Sequence, residues 1–430
     1  MAWIMPSRKL LVTVQVAAVA LIALYFLLTR LGASPIARTY GGGSKDAVVP
    51  VEVSDGVVLP SATITQYLNT ILNASDTTLP KLACPPPNLS RYEHLRSDPP
   101  PVPSQIRYFF ALNLRNNLPI LPQLLSSILS AALFLGPQQC ALSIVEGNSP
   151  DGTADILSAL QPLLVNTLHL RTFLAVDNGI DPLSEGVDRF AALADLRNLA
   201  LAPLTTGDPS HYTPDATVIF LNDVAACPDD ILELLHQRRR QDAHMACALD
   251  WTSSDPSFFY DVYVARTLQG DLFFPITPET AGWEHSGELM WSDPVAKGKM
   301  ERHEPFQVFS CWNGAVVFTA QPLVEGRVKF RGARKDRGEC RQGEVQAFCK
   351  DLWWNGYGRI MVVPTVNLEY SVEMGRKVKG ERGYVTDLVK GEKEGSNGEG
   401  KMEWLGPPEK VLCMPRFEEQ SWRPWNETLP

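Results

Sequence analysis

Polar side chains at the ends of apolar runs carry the chemistry this sequence can support: Asn113 with Arg115, Glu146 with Asn148 and Asp151, Asn222 with Asp223, and Asp250. The set is acidic and amide-rich, and it lacks the Gly-rich phosphate loop of a dinucleotide or P-loop site. Carboxylates in such positions are hard oxygen ligands suited to Mg2+ or Mn2+, and a metal held there would screen a bound pyrophosphate. Taken singly, each is equally well explained as a turn former, because Asn and Asp side chains hydrogen-bond their own backbone. His211, His236, His244, His285 and His303 show no ligand spacing, and no cysteine pair has the C-x-x-C form, so zinc has no local motif.

These residues matter together only if strands deliver them to one edge. The stretches IRYFFALN (106–113), CALSIVEG (140–147), TVIFLND (217–223) and HMACALDW (244–251) read as buried strands, with a further strand around 169–176. Helical patterns alternate with them: PILPQLLSSILSAALFL (119–135), TADILSALQPLLV (153–165), and a helix over about 186–201. Another helix opens at Cys227-Pro228-Asp229-Asp230 and closes on Arg238, Arg239 and Arg240, which complement the two ends of its dipole. Strand–helix alternation predicts an α/β domain with a mostly parallel sheet, whose ligands bind beyond the carboxyl ends of the strands.

The 430 residues allow one large domain with appendages, or two domains. With 39 Lys+Arg against 48 Asp+Glu, the net charge of −9 gives no attraction to nucleic acid phosphates. Leu10 to Leu28 is an apolar run interrupted only by Thr13 and Gln15, long enough to span a bilayer. Arg8 and Lys9 before it favour a cytosolic N-terminus, and TRLGASP after it fits poorly to a signal-peptidase site, so an uncleaved signal anchor is expected. The expected organisation is a cytosolic tail (1–9), an anchor (10–28), a Pro/Gly-rich stem (29–104) with a short helix over 66–73, a catalytic domain (105–370) and an irregular C-terminal extension (371–430). Sequons at Asn73, Asn88 and Asn426 and an even cysteine count after the anchor suit a secretory lumen, while the cysteine pairing stays open. Residues 327–341 are strongly basic, either a clamp for pyrophosphate or a solvated loop.

A family resemblance emerges from ordered segments. SIVEGNSPDGTADIL (143–157), LADLRNLAL (193–201), IFLND (219–223), CWNGAVVF (311–318) and GEVQAFCKDLWWNGYGRIMVVP (343–364) resemble, in order, the donor-site segments of GT-A glycosyltransferases. FLNDVAACPDDILELL, the stretch 250–271 and FCKDLW are similar to the fungal α-1,3-mannosyltransferases of glycosyltransferase family 69. The resemblance implies a GT-A-like fold and retaining transfer of mannose from GDP-mannose to a mannose-containing glycan, assisted by Mn2+ or Mg2+, in the Golgi membrane. It implies donor contacts for Glu146, Asn148, Asp151, Arg197, Asn198, Asn222 and Gly314, metal ligation by Asp223 with Asp250, and a catalytic role for Glu344 near the acceptor. The strand ends Asn222-Asp223-Val224 where the family pattern has D-x-D. That departure keeps two rivals open: a different nucleotide sugar, or a catalytically silent carbohydrate-binding protein.

Overall fold

The computed structural model describes residues 53–98, 102, 104–252, 257–277, 279, 282, 284–390 and 401–430. The expected anchor and cytosolic tail lie outside them. Among the described residues, no helix is long and apolar enough to cross a membrane.

Two helices, α1 (Ser61–Leu72) and α2 (Leu89–Ser97), precede a regular alternation. It runs β1 (Ile106–Leu114), α3 (Leu121–Leu135), β2 (Cys140–Glu146), α4 (Thr153–Asn166), β3 (Arg171–Ala175), α5 (Arg189–Thr205), β4 (Tyr212–Leu221), α6 (Pro228–Arg240) and β5 (Met245–Asp250). After it come β6 (Arg266–Thr267), α7 (Pro294–Glu301), β7 (Phe306–Ser310), β8 (Ala315–Thr319), α8 (Glu344–Trp354), β9 (Ile360–Leu368), α9 (Val372–Arg382) and the hairpin β10 (Lys410–Arg416) and β11 (Glu419–Pro424). The alternating part agrees with the sequence reading to within a few residues. The helices start where sequence chemistry allows: Pro122 and Pro228 sit in first turns, and the Asp230 carboxylate accepts the Cys227 N–H (2.7 Å).

A nine-stranded sheet in the order β3-β2-β1-β4-β8-β5-β9-β7-β6 organises the chain. Strands β1 to β4 pair in parallel, β5 pairs in parallel with β9, and the antiparallel β8 lies between β4 and β5. It is a mixed α/β domain with a mostly parallel central sheet. Period-two alternation divides each strand between two cores: Tyr108, Phe110 and Leu112 face one, Phe109 and Ala111 the other. Helices α1, α3, α4 and α6 fill the first core, while α5, α8 and the chain around 259–276 fill the second. Burial on both faces is why these strands read as continuous apolar runs.

Two expectations need correction. The second half of the predicted stem is part of the folded body, since Ile64, Leu68 and Ile71 of α1 and Tyr92 and Leu95 of α2 are buried in the first core. A disulfide from Cys84 to Cys227 then ties this segment to the start of α6. Pro80 and Pro85 to Pro87 keep the connection between α1 and α2 irregular but do not keep the segment off the domain. The C-terminal extension is likewise structured: α9 packs on β9, and Cys340–Cys413 joins the hairpin to the basic stretch. A third disulfide joins Cys247 to Cys311, and Cys140 and Cys349 remain buried thiols, the latter pushed up to about 12 by burial.

Candidate active site

In the order 3-2-1-4 the connections change direction between β1 and β4, and the carboxyl ends of these two strands frame a crevice. Asp223 stands there, two residues past β4, and accepts a hydrogen bond from Asn117 Nδ2 (2.7 Å), three residues past β1. Asn117 is held on both sides: its Oδ1 accepts the Arg115 N–H (2.6 Å), and its own N–H donates to Thr153 Oγ1 (3.1 Å). It bridges the switch point. The Asn222 N–H donates to Gly314 O (2.8 Å), and Asn222 Oδ1 accepts from the Trp312 indole (3.0 Å). The turn that makes this possible has Asn313 and Gly314 at φ 57° and 81°. A Cβ on Gly314 would stand 3.3 Å from Asp250 Cβ and 3.1 Å from Val224, so this glycine lets β8 lie against the ends of both β4 and β5.

Asp250 closes the other side. It is fully buried; its Oδ2 accepts from the Tyr370 hydroxyl (2.6 Å), and its Oδ1 has no hydrogen-bond partner. Asp261 accepts the Asn313 N–H (3.0 Å). Burial and then the neighbouring Asp261 raise the Asp250 carboxyl well above its usual range, and burial pushes Asp261 up to about 6 despite Asn313 and Arg197. Tyr260 is half exposed, its ring 4.9 Å from that of Tyr370, and its hydroxyl is raised by burial and then by Asp250, Asp261 and Asp223. Asp250, Asp261 and Asp223 thus all lie near enough to Tyr260 for their charges to act on its hydroxyl. An unpartnered, fully buried carboxylate oxygen fits a cation, which removes the penalty for ionising the group. Among the described residues, three potential ligands gather within 4.8 Å of one another only at Cys227, Asp229 and Asp230. That group is a sealed helix start: Cys227 is in a disulfide, and Lys379 and Thr386 donate to Asp230 and Asp229. A metal at Asp223 and Asp250 would thus take its remaining oxygens from ligand and water, as Mg2+ commonly does.

The other predicted residues fall into two groups. Glu344 opens α8 and pairs with Arg197 Nε of α5 (2.9 Å). The Arg197 guanidinium lies over Trp312 (4.3 Å), linking Glu344 to the indole that holds Asn222. Away from this chain, Glu146 is buried with its two oxygens accepting the Asn148 and Ser149 N–H groups (2.9 Å each). Burial alone would raise Asp151, but hydrogen bonds from Thr153 and the Leu118 N–H hold it below the usual range. Both carboxylates shape the loops beside the crevice. Asn198 exchanges two hydrogen bonds with the Phe330 backbone, Asn113 lies against the Arg197 turn of α5, and Asn148 is exposed at φ 59°. Asn117, Tyr260, Asp261 and Tyr370 were not anticipated. Asp261 lies inside the 250–271 stretch that carried the resemblance, and Tyr370 stands two residues past the end of β9, the strand-end position that marks Asp223 after β4.

The family described as cryptococcal mannosyltransferase 1 matches residues 107–351, which include every element of the crevice up to α8. The α-1,3-mannosyltransferase CMT1 of Cryptococcus neoformans is 33% identical over 346 residues, covering 75% of this chain and 73% of that protein. The chain is a glycosyltransferase. It belongs to the cryptococcal mannosyltransferase 1 family. Among solved structures, TarS of S. aureus (residues 1–349) matches at 13% identity and TM-score 0.35, over 62% of this chain and 60% of that one. The mannosyltransferase PcManGT of Pyrobaculum calidifontis, in complex with GDP-Man and Mn2+, matches at 15% identity and TM-score 0.35, over 72% of this chain and 66% of that one. Likeness at these scores bears on neither fold nor chemistry.

Proposed function

We propose that the chain transfers mannose from GDP-mannose to an α-mannoside, forming an α-1,3 linkage with retention, with Mn2+ or Mg2+ held at Asp223 and Asp250 in a GT-A-like domain. The observation that carries this reading is the Asn117–Asp223 contact at the switch point, with a buried Asp250, one oxygen unpartnered, at the neighbouring strand end across Gly314. A divalent ion bound there supplies positive charge against the departing diphosphate. The protein's own groups prepare that place. Asn117 fixes the Asp223 carboxylate, and Tyr370 engages one oxygen of Asp250 so that the other points free. Tyr260 offers a half-exposed ring on which a sugar can stack. Arg197, seated over Trp312, holds Glu344 where it can orient the acceptor hydroxyl or face developing positive charge. In the same reading the protein is a single-pass Golgi enzyme anchored through 10–28 with its catalytic domain luminal; three disulfides support an oxidising compartment.

The test is an assay of the full chain with GDP-mannose, α-mannobiose and Mn2+, against UDP-sugars and against chelator. Transfer from GDP-mannose that chelator stops and Mn2+ restores, with an α-1,3 product by NMR, is the expected result. Turnover of a UDP-sugar instead, or GDP-mannose binding without transfer across an acceptor panel, would overturn it.

A further inference from the structure

The edge of the sheet opposite the crevice holds a cavity of about 290 Å³ lined by Arg107, Arg238 and Arg239 with Thr217, Asp215 and Asp242. Strand direction places it there. Arg107 lies at the start of β1, Thr217 pairs with the next residue, Tyr108, past a shift in the β1–β4 register, and Asp242 stands just before β5. Three guanidinium groups meet two carboxylates, and neither carboxylate is committed to them. Asp215 is 3.8 Å from Arg107 Nε with about half of its side chain in solvent. Asp242 is mostly exposed and pairs with Arg359 Nη2 at 3.1 Å.

Arg238 is the key group. Its Nη1 donates only to the neutral hydroxyl of Thr217 (2.9 Å), and although part of the side chain reaches the surface, its Nε is buried without a hydrogen-bond partner. Loss of water pushes this guanidinium down to about 10, which leaves it charged at neutral pH. Arg239 donates to the Asp98 carbonyl, and its Nη2 is 4.0 Å from the exposed Asp98 carboxylate. As the last turn of α6, these arginines were expected to answer the helix dipole, yet Arg238 turns inward instead. A charge withdrawn from water without a committed counter-charge is unstable by itself, and a planar guanidinium matches two oxygens of a phosphate.

We propose that this cavity binds a phosphate-class anion, with Arg238 as the principal contact and Arg107 and Arg239 closing around it. The volume admits inorganic phosphate or pyrophosphate together with water. A whole strand length separates it from Asp223, so its occupant is not the sugar donor. Because the walls come from β1, β4, α6 and the entry to β5, an anion there ties these elements together and raises stability by linkage.

Calorimetric titration of inorganic phosphate into the full chain, at constant ionic strength and with chloride as comparator, tests the site. Saturable one-site binding is expected, with a Kd below about 1 mM and at least about tenfold weaker in Arg238→Met and in Arg239→Gln. Arg238→Met is further expected to raise Tm in phosphate-free buffer while abolishing the phosphate-dependent Tm shift. A parallel arm measures co-sedimentation with phosphatidic acid vesicles against phosphatidylcholine vesicles. Binding to phosphatidic acid that Arg239→Gln weakens, without binding of free phosphate, would make the source a lipid headgroup and keep the site. No saturable binding in either arm, or binding unchanged in both variants, would overturn the proposal.

Discussion

Buried Glu339 and half-buried Asp261 stand near opposite parts of α8, and they end in opposite electrostatic states. Glu339 accepts from Arg331 Nη1 and Nη2 (2.6 and 3.1 Å), Lys350 Nζ (2.8 Å) and the Arg334 N–H (2.7 Å). Burial alone would raise its pKa, but these donors hold it at about 2. Asp261 has one backbone N–H and stands near Arg197 without an ion pair, and burial pushes it up to about 6. Burial has the same sign in both places; the number of donors decides the outcome. The network around Glu339 is closed, and Arg331 also grips Asp351 with two bonds (2.7 and 2.8 Å). The crevice is open, with charge capacity kept for something that arrives. The basic stretch 327–341 belongs to the closed side: Lys335 and Arg341 pair with Asp188, while Arg334 and Arg337 donate to Thr428 O.

If the closed side is structural, breaking it should cost stability and little else. Arg331→Met leaves Glu339 and Asp351 short of their partner and is expected to destabilise the fold by roughly 5 kcal/mol, the top of the range for a broken buried pair. Denaturant unfolding measures it; a loss below about 1 kcal/mol would show that the network is solvated in practice. The crevice should behave the other way. Asp223→Ala is expected to lower kcat about a thousandfold, near 4 kcal/mol, while changing unfolding stability by only about 1 kcal/mol. Normal turnover in this variant would remove Asp223 from the chemistry.

Acid should separate the two regions as well. The Glu339 pKa is depressed from 4.5 to about 2, so its contribution is present above the unfolded value and disappears as pH falls through that window. About 3 kcal/mol should vanish on that descent, and Glu339→Gln should flatten the curve. The Asp261 pKa is raised from 3.8 to about 6, so in metal-free buffer stability should instead fall as pH rises between those values. Asp261→Asn should reduce that slope, leaving the share owed to the buried Asp250 and Asp230, and leave the acid limb intact; identical curves for the two variants would dissolve the contrast.

The sequence located the open side better than the closed one. Apolar runs ending in an acid pointed to Asp223 and Asp250 because a parallel strand must turn at its carboxyl end, and Asx residues there are visible in one dimension. Asn117, Asp261 and Tyr370 reach the crevice through the order β1-β4-β8-β5-β9, and no local pattern states that β8 inserts antiparallel between β4 and β5. The proline-dense segment before β1 misled for a related reason. Composition reported that its backbone is irregular, whereas the spacing of Ile64, Leu68 and Ile71, one face of α1, reported burial. The basic stretch was legible as charge but not as paired charge, because Asp188, Glu339 and Asp351 come to it from separate elements.

The smallest change probes how the crevice is kept open. Trp312→Phe retains an aromatic face beneath Arg197 but deletes the indole N–H that Asn222 Oδ1 accepts. One hydrogen bond to a neutral acceptor is worth about 1 kcal/mol, so kcat/KM should fall about fivefold, while the acid limb set by Glu339 stays where it is. The loss should appear in kcat more than in KM, because Asn222 is adjacent to Asp223 and its displacement moves the carboxylate rather than the sugar-binding wall. An unchanged kcat would mean that the Gly314 carbonyl alone fixes Asn222, and that the Glu344–Arg197–Trp312 chain supports α8 rather than the reacting groups.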